Sequence, residues 1–334
     1  QDINYYKNNR AEHENTDMLA VIPFTFNNTV KATVKPYYSN EDADIWQGVT
    51  SSGGSVQKRI RDIERSGVLS QVDMQFKPVR LSVGHLFESV DMAINTENYN
   101  PVSGAFSGHG IQTVNDDNGY VNSPFASLAG TLGALDWQAG LKYFRYDEPA
   151  SNGYTSTAPA FRLVEAPDLA RDEETYDIWL PTAGVSYRIS EMYQPYASYG
   201  RSHIRPYSYV PIINLYNANR PRFLAAGVTL ADMFEGYDIE TSDNFELGLR
   251  ISHARFDITP TVFYSQHRNL LTTIYDPRVN LNYQQNIGDA TGYGFEVASS
   301  FYLTDSLTLF LNPTFIKLTY DDNLTFNGST MATD

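Results

Sequence analysis

The chain of 334 residues carries 39 acidic against 24 basic side chains, a formal net charge of -15, which disfavours nucleic acid as a partner because a surface of that sign repels polyanions. It has no cysteine, which excludes a disulfide framework and thiolate metal sites, and no run of about 18 apolar residues, which excludes a helical membrane span. Barrel strands of about 9 to 11 residues leave no such hydropathy peak, and 24 Tyr with 18 Phe suit the aromatic girdles they carry.

No basic and apolar leader opens the chain at Gln1, so it reads as a mature protein or an excised piece. The text is strand-like from Asp17 to Phe26, turns at Asn27-Asn28 and continues as a strand from Thr29 to Tyr38. A polar stretch containing Ser51-Ser52-Gly53-Gly54 then reads as a long loop. Gly67 to Phe76 and Val79 to Asp91 form the next hairpin, turning at Lys77-Pro78, and an Asn- and Gly-rich loop leads on to Asn122. Ser123 to Leu132 pairs with Asp136 to Asp147, and a loop runs from Glu148 to Glu174. Thr175 to Ile189 pairs with Tyr193 to His203, and the longest loop, Ile204 to Ile239, is crowded with Tyr, Asn, Pro and Arg.

Asn244 to Ser252 is the clearest line of text. Phe245, Leu247, Leu249 and Ile251 fall on one side of an extended strand, whereas Asn244, Glu246, Gly248, Arg250 and Ser252 fall on the other. A reversal near Ala254 and Arg255 leads into Phe256 to Val262, and a sixth hairpin joins Gly292 to Leu303 with Ser306 to Tyr320. The last residues, from Asn327, read as loop. Such alternation fits either a soluble sandwich or a membrane barrel. The connections decide between them: turns of about two or three residues alternate with connections of about 19 to 37, as expected when one barrel end faces the periplasm and the other faces outside. The expected fold is an all-β, antiparallel transmembrane β-barrel with about twelve visible strands, residues 1–334 forming a single barrel segment.

Several stretches add a family resemblance. Ile239 to Arg250, reading Ile-Glu-Thr-Ser-Asp-Asn-Phe-Glu-Leu-Gly-Leu-Arg, resembles a strand entry of TonB-dependent outer-membrane receptors; Thr261 to Asn269 resembles the following strand and Tyr293 to Val297 that family's Tyr-Gly-apolar-Glu element. Tyr196 to Pro206 is similar to a strand and loop start of siderophore-type members. The resemblance covers Tyr196 to Tyr320; the earlier part matches in architecture alone. It implies a 22-strand barrel in the bacterial outer membrane, an N-terminal plug and a segment that engages the TonB system. Nothing before Asp17 is long enough for a plug, so this chain reads as the middle of the barrel, without the plug through which TonB would act.

The best ligand candidates are Arg201, Arg205, Tyr207, Tyr209, Tyr216 and Arg220, because Arg with Tyr offers charge, stacking and hydrogen bonds to an anionic, aromatic iron complex. The alternative is that these side chains order their own loop. Glu246, Arg250 and Glu296 are expected to face the lumen, against plug or substrate or as solvated charges. The six histidines lack metal-ligand spacing, and Asn115 to Gly119 reads as a plain turn because Val114 stands where a calcium loop needs its first carboxylate. No catalytic residue, metal or cofactor is expected. Import of a scarce ligand, a ferric siderophore above all, is the leading reading. A passive porin or adhesin is an alternative, as is an outer-membrane hydrolase, although no nucleophile signature is present.

Overall fold

A computed structural model describes residues 6–49, 54–110, 112–157, 159–206 and 209–332. Its strands are β1 (Arg10–Leu19), β2 (Ile22–Thr25), β3 (Val30–Val49), β4 (Ser55–Phe76), β5 (Val79–Tyr99), β6 (Phe106–His109), β7 (Thr113–Asn115), β8 (Gly119–Leu132), β9 (Leu135–Glu148), β10 (Ser151–Thr157), β11 (Arg162–Glu165), β12 (Glu174–Tyr187) and β13 (Tyr193–Ile204). Two helices follow, α1 (Tyr209–Ala226) and α2 (Leu230–Phe234), and then β14 (Glu240–His253), β15 (Phe256–Asp276), β16 (Leu281–Thr304), β17 (Leu307–Phe310), β18 (Thr314–Tyr320), β19 (Leu324–Phe326) and β20 (Ser329–Met331).

The main sheet is an antiparallel meander whose path, β1-β3-β4-β5-β8-β9-β12-β13-β14-β15-β16-β17, crosses twelve strands, with β2, β6 and β18 attached beside it. β1 and β2 are two pieces of one stave, since both pair with β3; β17 and β18 are likewise both paired with β16. The expected tight turns all lie at one end, at Asn27-Asn28, Lys77-Pro78, Gly133-Ala134, between β12 and β13, at Ala254-Arg255 and after Thr304.

Register shows what separates the two faces. Ala197, Leu247, Val262, Phe295 and Phe315 lie in one outward row, and the last four are each about half exposed. One residue along, Tyr196, Gly248, Thr261, Glu296 and Thr314 form an inward row, tied by the Tyr196 hydroxyl to Thr261 Oγ1 at 2.8 Å. Gly248 is required there: a Cβ would lie 2.5 Å from the Tyr196 ring. Above the outward apolar rows run aromatic contacts, Tyr143 with Trp179 at 4.9 Å and Tyr199 with Phe245 at 4.8 Å. So much exposed apolar side chain in contiguous rows is the opposite of a water-facing surface and matches a lipid-facing band with its girdle.

The outside connections differ from expectation. The stretch after Tyr38 expected as a loop is a tall hairpin: β3 runs on to Val49 and β4 begins at Ser55, with Ser51, Ser52 and Gly53 outside the described residues. In the same way β15 reaches Asp276 and β16 starts at Leu281, where a long connection was expected, and β5 extends to Tyr99. Above the bilayer both faces of a strand meet water or other loops, so the apolar alternation that marks a spanning strand disappears while the hydrogen-bonded ladder continues. The loop from Glu148 to Glu174 contains β10 and β11, and the longest loop folds into α1 and α2. The residues from Asn327 are not plain loop, since β19 and β20 form a small hairpin there; Thr333 and Asp334 lie outside the described residues.

Candidate functional site

The outside end of the wall carries a hydrophobic core of its own. Ala166 and Leu169 from the loop before β12, Ile212, Tyr216 and Phe223 from α1, Leu230 and Met233 from α2, and Ile274, Val279 and Tyr283 from the β15–β16 tip pack together, with Phe326 against them. Connections from four places thus converge into one cap. α1 contains Pro221 and kinks at Asn219, and Gly227, at φ +67°, stops it in a conformation that suits glycine. α2 opens with Thr229 and Asp232 in a reciprocal capping box. Gln285 donates to the carbonyl of Met233 at 2.6 Å, which ties α2 to β16.

Two charged groups lock this cap. Arg220 grips Asp168 with Nε on Oδ2 at 2.7 Å and Nη2 on Oδ1, and the Tyr216 hydroxyl lies 3.3 Å from Asp168 Oδ2 and donates to the carbonyl of Val228. The Arg220 hydrogen bonds hold the Asp168 carboxyl below the usual carboxylate range, against the upward push of burial. Asp276, fully buried, accepts from the Arg278 backbone N–H at 2.9 Å, from Arg278 Nη2 at 2.8 Å and from the Tyr283 hydroxyl at 2.7 Å. Burial pushes its carboxyl up, and the bonds from Arg278 and Tyr283 outweigh that, leaving it below its ordinary value.

The four ligand candidates whose side chains are described, Arg201, Arg205, Tyr216 and Arg220, lie in different surroundings. Arg201 points outward, bidentate to Asp243 at 2.9 Å for both Nε and Nη2, with the Tyr199 hydroxyl on the same carboxylate. Arg205 lies half-buried with its guanidinium 4.0 Å from the centre of the Tyr146 ring. Tyr207 lies outside the described residues, and Tyr209 opens α1. Tyr216, fully buried, and Arg220 meet through Asp168 inside the cap, the arrangement expected of side chains that order their own loop.

Glu246, Arg250 and Glu296 share the face opposite the exposed apolar rows. Ser198 Oγ donates to Glu246 at 3.2 Å, the Arg250 guanidinium stacks 4.7 Å from the Tyr196 ring centre, and Glu296 stands in the same row as Thr261 and Thr314. Arg250 borders a cavity of about 470 Å³ with Arg80, Asp136 and Gln138 near the tight turns. The sequence reading passed over the inward column Arg59, Arg61 and Arg65, because it lies in the upper half of β4 that was expected to be loop. Its signal was the spacing of two between Arg59 and Arg61, a strand period in polar text.

A meander that is apolar outside, polar inside, tightly turned at one end and capped at the other is the wall of an outer-membrane-type β-barrel. The family model "TonB dependent receptor-like, beta-barrel" matches residues 1–333, and the chain belongs to that family, whose barrels are bacterial outer-membrane proteins. No curated protein sequence matches it. Among solved structures it is similar to the ferric yersiniabactin uptake receptor FyuA from Yersinia pestis (TM-score 0.63, 12% identity, 93% of this chain and 42% of that one). It is also similar to the copper transporter OprC (TM-score 0.65, 12% identity, 92% and 46%) and to the siderophore receptor PiuA from Acinetobacter baumannii (TM-score 0.61, 14% identity, 96% and 49%). The chain spans less than half the length of each, and at these identities the likeness is one of fold.

Proposed function

We propose that this barrel wall serves active import of a scarce small ligand, a ferric siderophore or comparable metal chelate, captured at the outside loops and released inward. The observation that carries the reading is the packed cap: connections from four places are pre-organised over a polar lumen, which lowers the ordering cost of binding. A passive pore has no need of such a core. In this reading outer-membrane lipid wets the outward rows, and Glu246, Arg250 and Glu296 meet a plug domain through which the TonB system would act. Of the loop candidates, we assign ligand contact to Arg205, whose guanidinium stacks on Tyr146, whereas Tyr216 and Arg220 serve by holding the cap. No covalent step is involved, and the energy comes from outside this chain.

The test is uptake of iron-55 presented as a panel of ferric chelates to cells that express the full-length protein, with and without an uncoupler of the proton gradient. Uptake of one chelate that stops with the uncoupler is the expected result. Uncoupler-insensitive passage of unrelated small solutes would instead identify a pore.

A further inference from the structure

The ladders from β4 to β3 and to β5 run from Ser55 to Phe76 without a register shift, so the face of any β4 residue follows from any other. Gln71, Asp73 and Gln75 border a lumen cavity with Lys31, Arg80 and Ser82, which makes the odd-numbered residues of β4 the inward set. Arg59, Arg61 and Arg65 belong to that set, well above the lipid-facing rows. The outward set at the same height is mostly acidic: Asp42, Asp44, Asp62 and Glu64, with Glu12 and Glu14 beside them on β1, against Lys58, paired to Asp44 at 2.7 Å, and Arg10. At this height the outer face is thus predominantly acidic, while the inner face carries Arg59 and Arg61 with Glu41 as the nearby carboxylate.

No carboxylate stands directly across the ladder from Arg59 or Arg61. Arg59 stands between Ile45 and Thr96, and Arg61 between Ala43 and Ile94. Glu41 reaches Arg61 diagonally at 3.4 Å; Arg59 makes no hydrogen bond or ion pair among the described residues. The Nε atoms of both arginines are shut off from solvent without an acceptor. A donor buried that way is costly unless something accepts from it.

We propose that Arg59 and Arg61 form an anion-binding site on the inner wall of the outside vestibule, taking a ligand that carries at least two carboxylate or phosphate groups. Residues two apart on one strand face are about 6.6 Å apart, a separation that one such ligand bridges with a charged oxygen pair on each guanidinium fork. Burial, and then the neighbouring charge of Arg61, lower the Arg59 guanidinium below its ordinary value, and a bound anion would relieve both effects. Glu41 is the built-in competitor, occupying Arg61 when the site is empty. The site deepens the import reading, which supplies the reason for an anion to enter the vestibule, but its chemistry does not depend on that reading.

The test uses the full-length protein in detergent, with citrate and pyrophosphate as probes in calorimetric titrations, and heat-modifiable gel migration to confirm that each variant is folded. Arg59→Gln is expected to weaken binding about tenfold or more, with Arg59→Lys retaining part of it, as for loss of a charge-assisted pair. Glu41→Gln is expected to tighten binding by freeing Arg61, and Asp44→Asn on the outer face is expected to change little. The proposal is overturned if neither probe binds the unmodified protein, if a folded Arg59→Gln binds as the unmodified protein does, or if Glu41→Gln weakens binding. Energy-dependent chelate uptake that is indifferent to Arg59 would remove this site and leave the import reading. Arginine-dependent citrate binding without energy-dependent uptake would do the reverse.

Discussion

Leu247→Arg is expected to destabilise the barrel by about 2–4 kcal/mol, because it sets a guanidinium near the middle of the outward apolar band. Leu247 is 59% exposed, faces Val262 across the ladder and lies between Phe245 and Leu249 on the outward side of β14. In water an exposed leucine replaced by arginine costs almost nothing, so the size of the loss reports what wets that face. The control is one residue away: Glu246→Arg, on the polar inward side, is expected to shift stability little. Urea titration of the full-length protein in lipid vesicles, followed by gel migration, measures both. Equal and small losses would remove the lipid from the account.

Asp276→Asn is expected to open the cap without unfolding the wall. The carboxylate is fully buried and holds Arg278 and Tyr283, while the Arg278 side chain keeps 42% of its exposure, so the loss is that of a partly solvated charged hydrogen-bond set, about 2–3 kcal/mol. That corresponds to a rise of about 30- to 150-fold in the open fraction of the β15–β16 tip. Hydrogen exchange should show it at Ile274 to Tyr283 and α2, while β14 and the lower halves of β15 and β16 keep their protection. Tyr283→Phe removes one of these bonds and should show a smaller effect in the same segment. The folded carboxyl is held below its unfolded value, so its contribution is complete above about pH 4 and is lost as the pH falls through the folded value. The unmodified cap should therefore loosen only below about pH 4, and the Asn variant should lose that step.

The spanning halves of the strands were legible because hydrocarbon imposes an apolar residue at every second position. Phe245, Leu247 and Leu249 show it plainly, and all the tight turns fell where the text suggested. Above the lipid edge that constraint ends. Ser39 to Val49 and Ser55 to Ser66 are strands whose two faces both mix charged and apolar residues without alternation, so they looked like loop, and Arg59 and Arg61 were lost with them. α1 was hidden differently. Ile212, Ile213, Tyr216 and Phe223 do recur at helical spacing, but Pro221 and the surrounding Asn and Tyr read as loop, and the helix is stabilised by partners far away in sequence, Leu169 and Ile274 among them. The candidate residues suffered from the same blindness to partners. Strand parity alone would have placed Arg201 on the outward side with Tyr199, while the burial of Tyr216 depends on contacts no local pattern contains.

Which solvent touches the row of Leu247, Val262 and Phe295 is best read directly, by placing a nitroxide at each position from Asn244 to Ser252 of the full-length protein in vesicles and comparing its relaxation by oxygen with that by a water-soluble nickel chelate. The account predicts a period of two: Phe245, Leu247, Leu249 and Ile251 favour oxygen, and the residues between them favour the chelate or are shielded from both. Chelate access on both sides, or an apolar side reached by neither reagent, would mean that water or a protein interior covers these residues and would contradict the assignment.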